Sequence, residues 1–151
     1  MTIAPQTDSV EAPGEVETYR KPIPVPDEAT RPFFEGAKRH ELMLQRCTVC
    51  GMTMWPVKPR CIDCFSAELE WARASGRGTL YTFTLMHQLY DPGFADEIPY
   101  NVSVVELEEG VRFTTNVVDC PNAELRIGMP LEVTFEDITD EISLPKFKPA
   151  G

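Results

Sequence analysis

Four cysteines in two close pairs constrain this chain more than any other feature. They are Cys47-Thr48-Val49-Cys50 and, ten residues later, Cys61-Ile62-Asp63-Cys64. A two-residue gap lets both thiolates of one turn point at a common centre, and two such turns facing each other complete a tetrahedron. A structural zinc ion makes that demand, taking four sulfur ligands at about 2.3 Å and leaving no open position. Disulfides would suit a secreted chain, yet residues 1–30 show no basic start followed by an apolar core, so a cytoplasmic setting is expected. Iron would use the same ligands, but with a longer spacer between the pairs. A redox dithiol uses one such pair, not two in succession. Cys47, Cys50, Cys61 and Cys64 are therefore read as zinc ligands, with iron and redox chemistry as the competitors. Gly51 eases the backbone round the first knuckle. Phe65 holds the equivalent place in the second, which must turn without that help.

At 151 residues the chain has room for one ordinary domain or two very small ones sharing a core. It has no apolar run long enough to span a membrane. The net charge of −10 is unevenly placed. Residues 31–77 carry eight Lys/Arg against five Asp/Glu, whereas residues 78–151 carry four against thirteen. An acidic C-terminal half is a poor surface for nucleic acid, whose binding depends on neutralised phosphates.

Residues 1–30 read as an arm. It contains Pro5, Pro13, Pro22, Pro24 and Pro26, and the stretch from Tyr19 to Pro26 is expected to be extended. The arm serves either as a tether or as a strap laid across a partner, with Tyr19, Ile23 and Val25 to bury. Residues 31–45 follow as a short amphipathic helix and its exit, with Thr30 as the N-cap and Pro32 in the first turn. Phe33 and Phe34 are adjacent and cannot point the same way on a helix, so one of them is expected to face outside the domain core. The ribbon occupies 46–75. Strand signals then succeed one another over 76–149, at 78–90, 100–107, 111–118, 131–135 and 142–147, with one helical turn at 122–125. Five strands in so short a span predict a mainly β protein ending in a small closed barrel of the OB type. The loop 91–99 is longer than a hairpin needs and is a candidate docking loop. Tyr19, Phe33, Phe34 and Phe94 are the candidate partner-binding residues.

The order of helix, four-cysteine ribbon and five-strand barrel resembles the zinc-ribbon OB-fold family associated with acyl-CoA metabolism. The resemblance is carried by Thr30-Arg31-Pro32-Phe33-Phe34-Glu35-Gly36, Leu44-Gln45-Arg46-Cys47-Thr48-Val49-Cys50-Gly51 and Gly76-Arg77-Gly78-Thr79-Leu80-Tyr81-Thr82-Phe83-Thr84. It continues in Pro99-Tyr100-Asn101-Val102, Arg126-Ile127-Gly128-Met129-Pro130-Leu131-Glu132-Val133 and Pro145-Lys146-Phe147-Lys148-Pro149. Phe65 is a departure, since many relatives have glycine after the fourth ligand. The resemblance implies a non-catalytic accessory subunit, part of a lyase or acyltransferase complex. Such a subunit attaches to a thiolase-fold enzyme or a hot-dog-fold hydratase and helps form its acyl-CoA site. Lipid or steroid side-chain degradation is among the settings it implies. CoA offers phosphates to Arg and Lys and an adenine for stacking, which makes Lys58, Arg60, Arg73, Arg77 and Trp55 candidate CoA contacts. The same tryptophan also suits a lid over the ribbon's small core.

No catalytic set is visible. His40 and His87 lie in different elements, Cys120 is an unpaired thiol beside Asp119, and the acidic pairs fall at turns. The other reading is an independent OB-fold module for single-stranded nucleic acid. Such a module needs a basic, aromatic groove on its second and third strands, where this chain offers Arg112 against Glu106, Glu108 and Glu109.

Overall fold

The computed structural model describes residues 18–151, so the expectations for residues 1–17 of the arm lie outside it. One helix, α1 (Arg31–Lys38), precedes two sheets. The first belongs to the ribbon and has three antiparallel strands in the order β2 (Thr53–Met54), β1 (Met43–Cys47), β3 (Leu69–Arg73). The second has five, in the order β6 (Arg112–Thr115), β5 (Tyr100–Leu107), β4 (Arg77–Met86), β7 (Pro130–Asp137), β8 (Ser143–Pro149). Every neighbouring pair in it is antiparallel. Its outer edges meet at a single parallel bridge between Val117 and Phe147, so the sheet curls into the half-barrel of an OB-fold.

Alternation explains which side chains fill the barrel. β5 turns Asn101, Ser103, Val105 and Leu107 inward, and β6 turns Phe113 and Thr115 inward. Leu80, Val105, Leu131 and Phe147 are essentially inaccessible. Asn101 closes the barrel end. Its amide nitrogen donates to the Val117 carbonyl at 2.8 Å, while its oxygen accepts from the Val117 N–H at 2.8 Å and from Ser103 Oγ at 2.7 Å. A buried amide with every group paired fixes the seam more firmly than an apolar contact of the same size.

Two details differ from expectation, and a third adds to it. Thr30 makes no side-chain cap to α1. Its hydroxyl donates to Asp27 Oδ1 at 2.7 Å, and Asp27 Oδ1 also takes the Thr30 N–H at 2.8 Å, so the chain enters the helix through a turn closed by the aspartate. Phe34 does not face away from the core; it packs half-buried at the core margin, edge-on to Phe33 with centroids 5.2 Å apart. The loop before β5 is also ordered, as a 3₁₀ turn over Pro92–Glu97. The arm lies on this turn. The Arg20 carbonyl sits so close to Gly93 that an added Cβ would be 2.6 Å from it, and Lys21 Nζ meets Glu97 at 2.9 Å.

Candidate functional site

The two cysteine turns are built alike. In the first, the Cys47 N–H donates to the Met52 carbonyl at 2.8 Å and the Gly51 N–H to the Cys47 carbonyl at 2.9 Å. In the second, the Cys61 N–H donates to Ser66 at 2.9 Å and the Phe65 N–H to Cys61 at 3.1 Å. Both loops need a left-handed residue at the same step. Gly51 supplies it at φ 79°, and Phe65 at φ 61° without glycine's freedom.

The four Sγ atoms lie within 4.8 Å of one another, with Cys47–Cys64 at 3.6 Å and Cys50–Cys61 at 3.5 Å. A tetrahedron of sulfurs about 2.3 Å from zinc has edges near 3.8 Å, so this cluster fits the ion. Cys47 and Cys61 are buried and Cys50 and Cys64 exposed, which places the centre at the ribbon's surface with its inner edge against Met54. The surrounding backbone favours thiolates. The N–H groups of Cys50 and Val49, with the neighbouring thiols, bring the Cys47 thiol down to about 7. Cys61 is lowered in the same way by the N–H groups of Cys64 and Asp63. The Met52 N–H favours the Cys50 thiolate as well, but burial and the adjacent sulfurs outweigh it and push that thiol up to about 12. Four sulfurs crowded together cannot all ionise without a cation among them, and zinc supplies that charge.

An aromatic stack joins the ribbon to the barrel. Trp55 lies 4.2 Å from Phe33 and 5.4 Å from Phe113, and Phe113 lies 6.1 Å from Phe147 at the barrel centre. Trp55 is half-buried, but it packs on the large core shared with the barrel and not on the small core around the cysteines, so it is not the ribbon lid the sequence suggested. Phe33, at 5% exposed, belongs to that same large core. Tyr19 and Phe94 are half-buried too. Phe94 stacks on Tyr100 at 4.9 Å, and Lys21 Nζ sits over both the Phe94 and Tyr19 rings.

The candidate CoA contacts are spread out. Arg77 is paired with Glu108 at 3.1 Å and lines a hollow with Gly78 and Pro130. Arg73 reaches Glu41 at 3.8 Å and lines another with Arg46 and Thr53. Lys58 and Arg60 carry no ion pair among the described residues. Gln45 clamps the Lys58 backbone, accepting its N–H at 2.7 Å and donating to its carbonyl at 3.1 Å. Beside it lies a hollow of about 340 Å³ lined by Pro32, Val57 and Trp71. Arg60 donates to the Phe65 carbonyl at 3.2 Å, tying the basic spacer to the strained knuckle.

The remaining chemistry-bearing groups stay apart. His40 stacks on Phe135 at 5.1 Å with Nε2 2.8 Å from Asp137, while His87 is exposed beyond the end of β4. Burial pushes the Cys120 thiol up, away from a nucleophile's range. Arg112, the basic residue of β5 and β6, pairs with Glu106 at 3.3 Å and lies on Tyr81, which leaves no basic groove on that face. What the sequence reading missed is where the exposed apolar side chains lie. Val49, Ile62 and Phe65 stand at the knuckles, and Tyr81, Leu85, Leu89 and Tyr90 lie along and beyond β4. The available signal was the absence of any charged residue from 78 to 90.

Models of known families match two consecutive segments. Residues 34–70 match the ChsH2 rubredoxin-like zinc ribbon domain and residues 71–136 the ChsH2 C-terminal OB-fold domain. Among solved structures, a chain described as "Ltp2-ChsH2(DUF35) aldolase" superposes with a TM-score of 0.77 at 35% identity, covering 85% of this chain and 100% of that one. A probable enoyl-CoA hydratase alpha subunit from Thermomonospora curvata is 37% identical over 118 residues, 78% of this chain. The match spans only 36% of that longer relative. A DUF35 domain-containing scaffold protein from Methanocaldococcus jannaschii is 34% identical over 105 residues, 69% of this chain and 74% of its own length. A four-sulfur ribbon stacked on an OB half-barrel, matched in both halves, makes this chain a member of the ChsH2-type zinc-ribbon and OB-fold family.

Proposed function

We propose that this chain is a non-catalytic accessory subunit that binds a thiolase-fold enzyme or a hot-dog-fold hydratase and helps form its acyl-CoA site. The observation that carries the reading is the match along the whole of a chain from an aldolase assembly. It goes with described residues that gather one metal-binding set and no nucleophile, base and acid together. Zinc is structural here. All four ligands come from the chain, and its role is to hold the knuckles, Trp55 and the basic spacer in place. The part of the chain offered to CoA phosphates narrows to Lys58 and Arg60, which form no ion pair among the described residues; Lys58 lines a hollow with Trp71 and Glu28. The setting is a lyase or acyltransferase complex acting in lipid or steroid side-chain degradation.

A tagged pull-down from the native host, with mass spectrometry and stoichiometry of what co-elutes, tests this. The expected result is a near-equimolar acyl-CoA enzyme subunit. A chain that elutes alone, or with nucleic acid surviving moderate salt, overturns it.

A further inference from the structure

β4 is covered along only half of its length. Arg77, Gly78 and Thr79 pair with β7 on one side, Gly78 and Thr79 also pair with β5 on the other, and Leu80 exchanges backbone hydrogen bonds with Met129 and Gly128. From Thr82 to Met86 the strand keeps β5, and from Tyr81 onward it has no backbone partner on its other side among the described residues. The register defines what is left open. Leu80 turns its N–H and C=O away from β5, and a bulge follows between Leu80 and Thr82. Alternation then bonds Thr82, Thr84 and Met86 to β5 and turns the N–H and C=O of Phe83 and Leu85 outward.

Open edges are normally blunted by lysine, proline or charge. This one has none. Residues 78–90 form the longest stretch of the chain without Asp, Glu, Lys or Arg, in a protein of net charge −10. Tyr81 is 44% exposed and Leu85 36%, and beyond the strand Leu89 and Tyr90 are exposed at 47% and 73%. An uncharged, apolar edge left in water templates strand addition and aggregation.

We propose that the open edge of β4, from Tyr81 to Met86, is a docking site for an extended, uncharged segment of the partner enzyme, which adds to the sheet as a further strand. This rests on the accessory-subunit reading and supplies the surface through which that subunit binds. The outward groups of Phe83 and Leu85 call for backbone, and the missing charges call for a segment that brings no unpaired charge of its own. A second copy of this chain fits less well, since each would bring an acidic half of thirteen Asp/Glu against four Lys/Arg. The chain's own first residues fit less well also, because Asp8, Glu11, Glu15 and Glu17 would be set against an uncharged edge.

The test uses the full chain and the purified enzyme subunit identified with it. Hydrogen exchange of the free chain should show fast amides at Phe83 and Leu85, slowed at least about tenfold in the complex. Leu85→Pro removes one outward N–H without cutting a bond to β5 and should weaken association about tenfold. Leu85→Ala keeps that N–H and should bind within about twofold of the wild type. Unslowed edge amides, or a folded Leu85→Pro chain that binds as tightly as the wild type, overturn the proposal, and the exchange result stands even where that variant fails to fold. Amides already slow in the free chain overturn it too: release on removing residues 1–17 assigns the cover to the arm, and concentration dependence assigns it to a second copy. If the chain captures no enzyme subunit at all, the function itself falls, and this docking site falls with it.

Discussion

Around the four cysteines the buried apolar set is Met54 with Cys47 and Cys61, and Leu69 at its margin. The larger buried set runs from Leu80 to Phe147 in the barrel, sealed by the paired amide of Asn101, and takes in Phe33, Leu42, Leu44 and Ala74 from the helix and the ribbon's inner face. The cysteine end of the three-stranded sheet has almost no core of its own and does not stand alone in water, whereas a curled five-stranded sheet around Phe147 and Leu131 does. The ribbon therefore depends on its metal and the barrel on its packing. The stack of Phe33, Trp55 and Phe113 is the joint where one form of stability meets the other.

The largest break in that contrast is removal of an inner ligand. Structural zinc contributes about 10–16 kcal/mol of binding free energy to isolated zinc-finger peptides, so Cys47→Ser or Cys61→Ser should abolish stoichiometric zinc and unfold the ribbon. Metal analysis with hydrogen exchange checks this, and the barrel amides of Val105 and Leu131 should stay protected. The converse change is Phe147→Ala. It empties the barrel centre at a cost of about 3–5 kcal/mol while the ribbon keeps its metal, read from denaturant unfolding and zinc content.

The two knuckles sharpen the comparison on a smaller scale. A Cβ on Gly51 would touch nothing within 4 Å, so Gly51→Ala isolates backbone strain and should cost about 1 kcal/mol. Phe65→Gly relieves the same strain at φ 61° and should stabilise the metal-loaded ribbon by up to about 1 kcal/mol. Paired unfolding curves with zinc bound decide both signs. The smallest expected effect lies at the barrel rim. Hydrogen bonds from Ser143 and then His40 hold the Asp137 carboxyl below its usual range. A carboxyl lowered by folding contributes fully above its ordinary pKa and fades as the pH falls through the lowered one. Melting temperature should therefore drop more steeply with acid in the wild type than in Asp137→Asn, over about pH 5 to 3.

How legible each part was follows from the range of the interaction behind it. The zinc ligands could be read because two pairs at fixed spacing need no distant partner. The last long strand could be read because Leu131, Val133 and Phe135 alternate with polar residues, and the first because β-formers fill 78–90 between turn signals. Which of Phe33 and Phe34 lies deeper could not be read, because the partners of Phe33, Trp55 and Phe113, arrive from far along the chain. Arg73 and Arg77 looked free for phosphate because Glu41 and Glu108 are brought to them only by folding. Thr30 looked like a cap, and only the turn from Asp27 shows its hydroxyl taken. The open half of β4 left a mark in the sequence, the uncharged run 78–90, but only the register showed which backbone groups it exposes.

The most direct test of the whole account is acyl-CoA turnover by the purified chain, by its enzyme subunit, and by the two together. The account predicts no turnover by this chain alone and a clear gain in the subunit's rate or thioester affinity when the zinc-loaded chain is added. The gain should be lost with Cys61→Ser. Turnover by the chain alone, or an enzyme equally active and equally tight for thioester without it, would contradict the account.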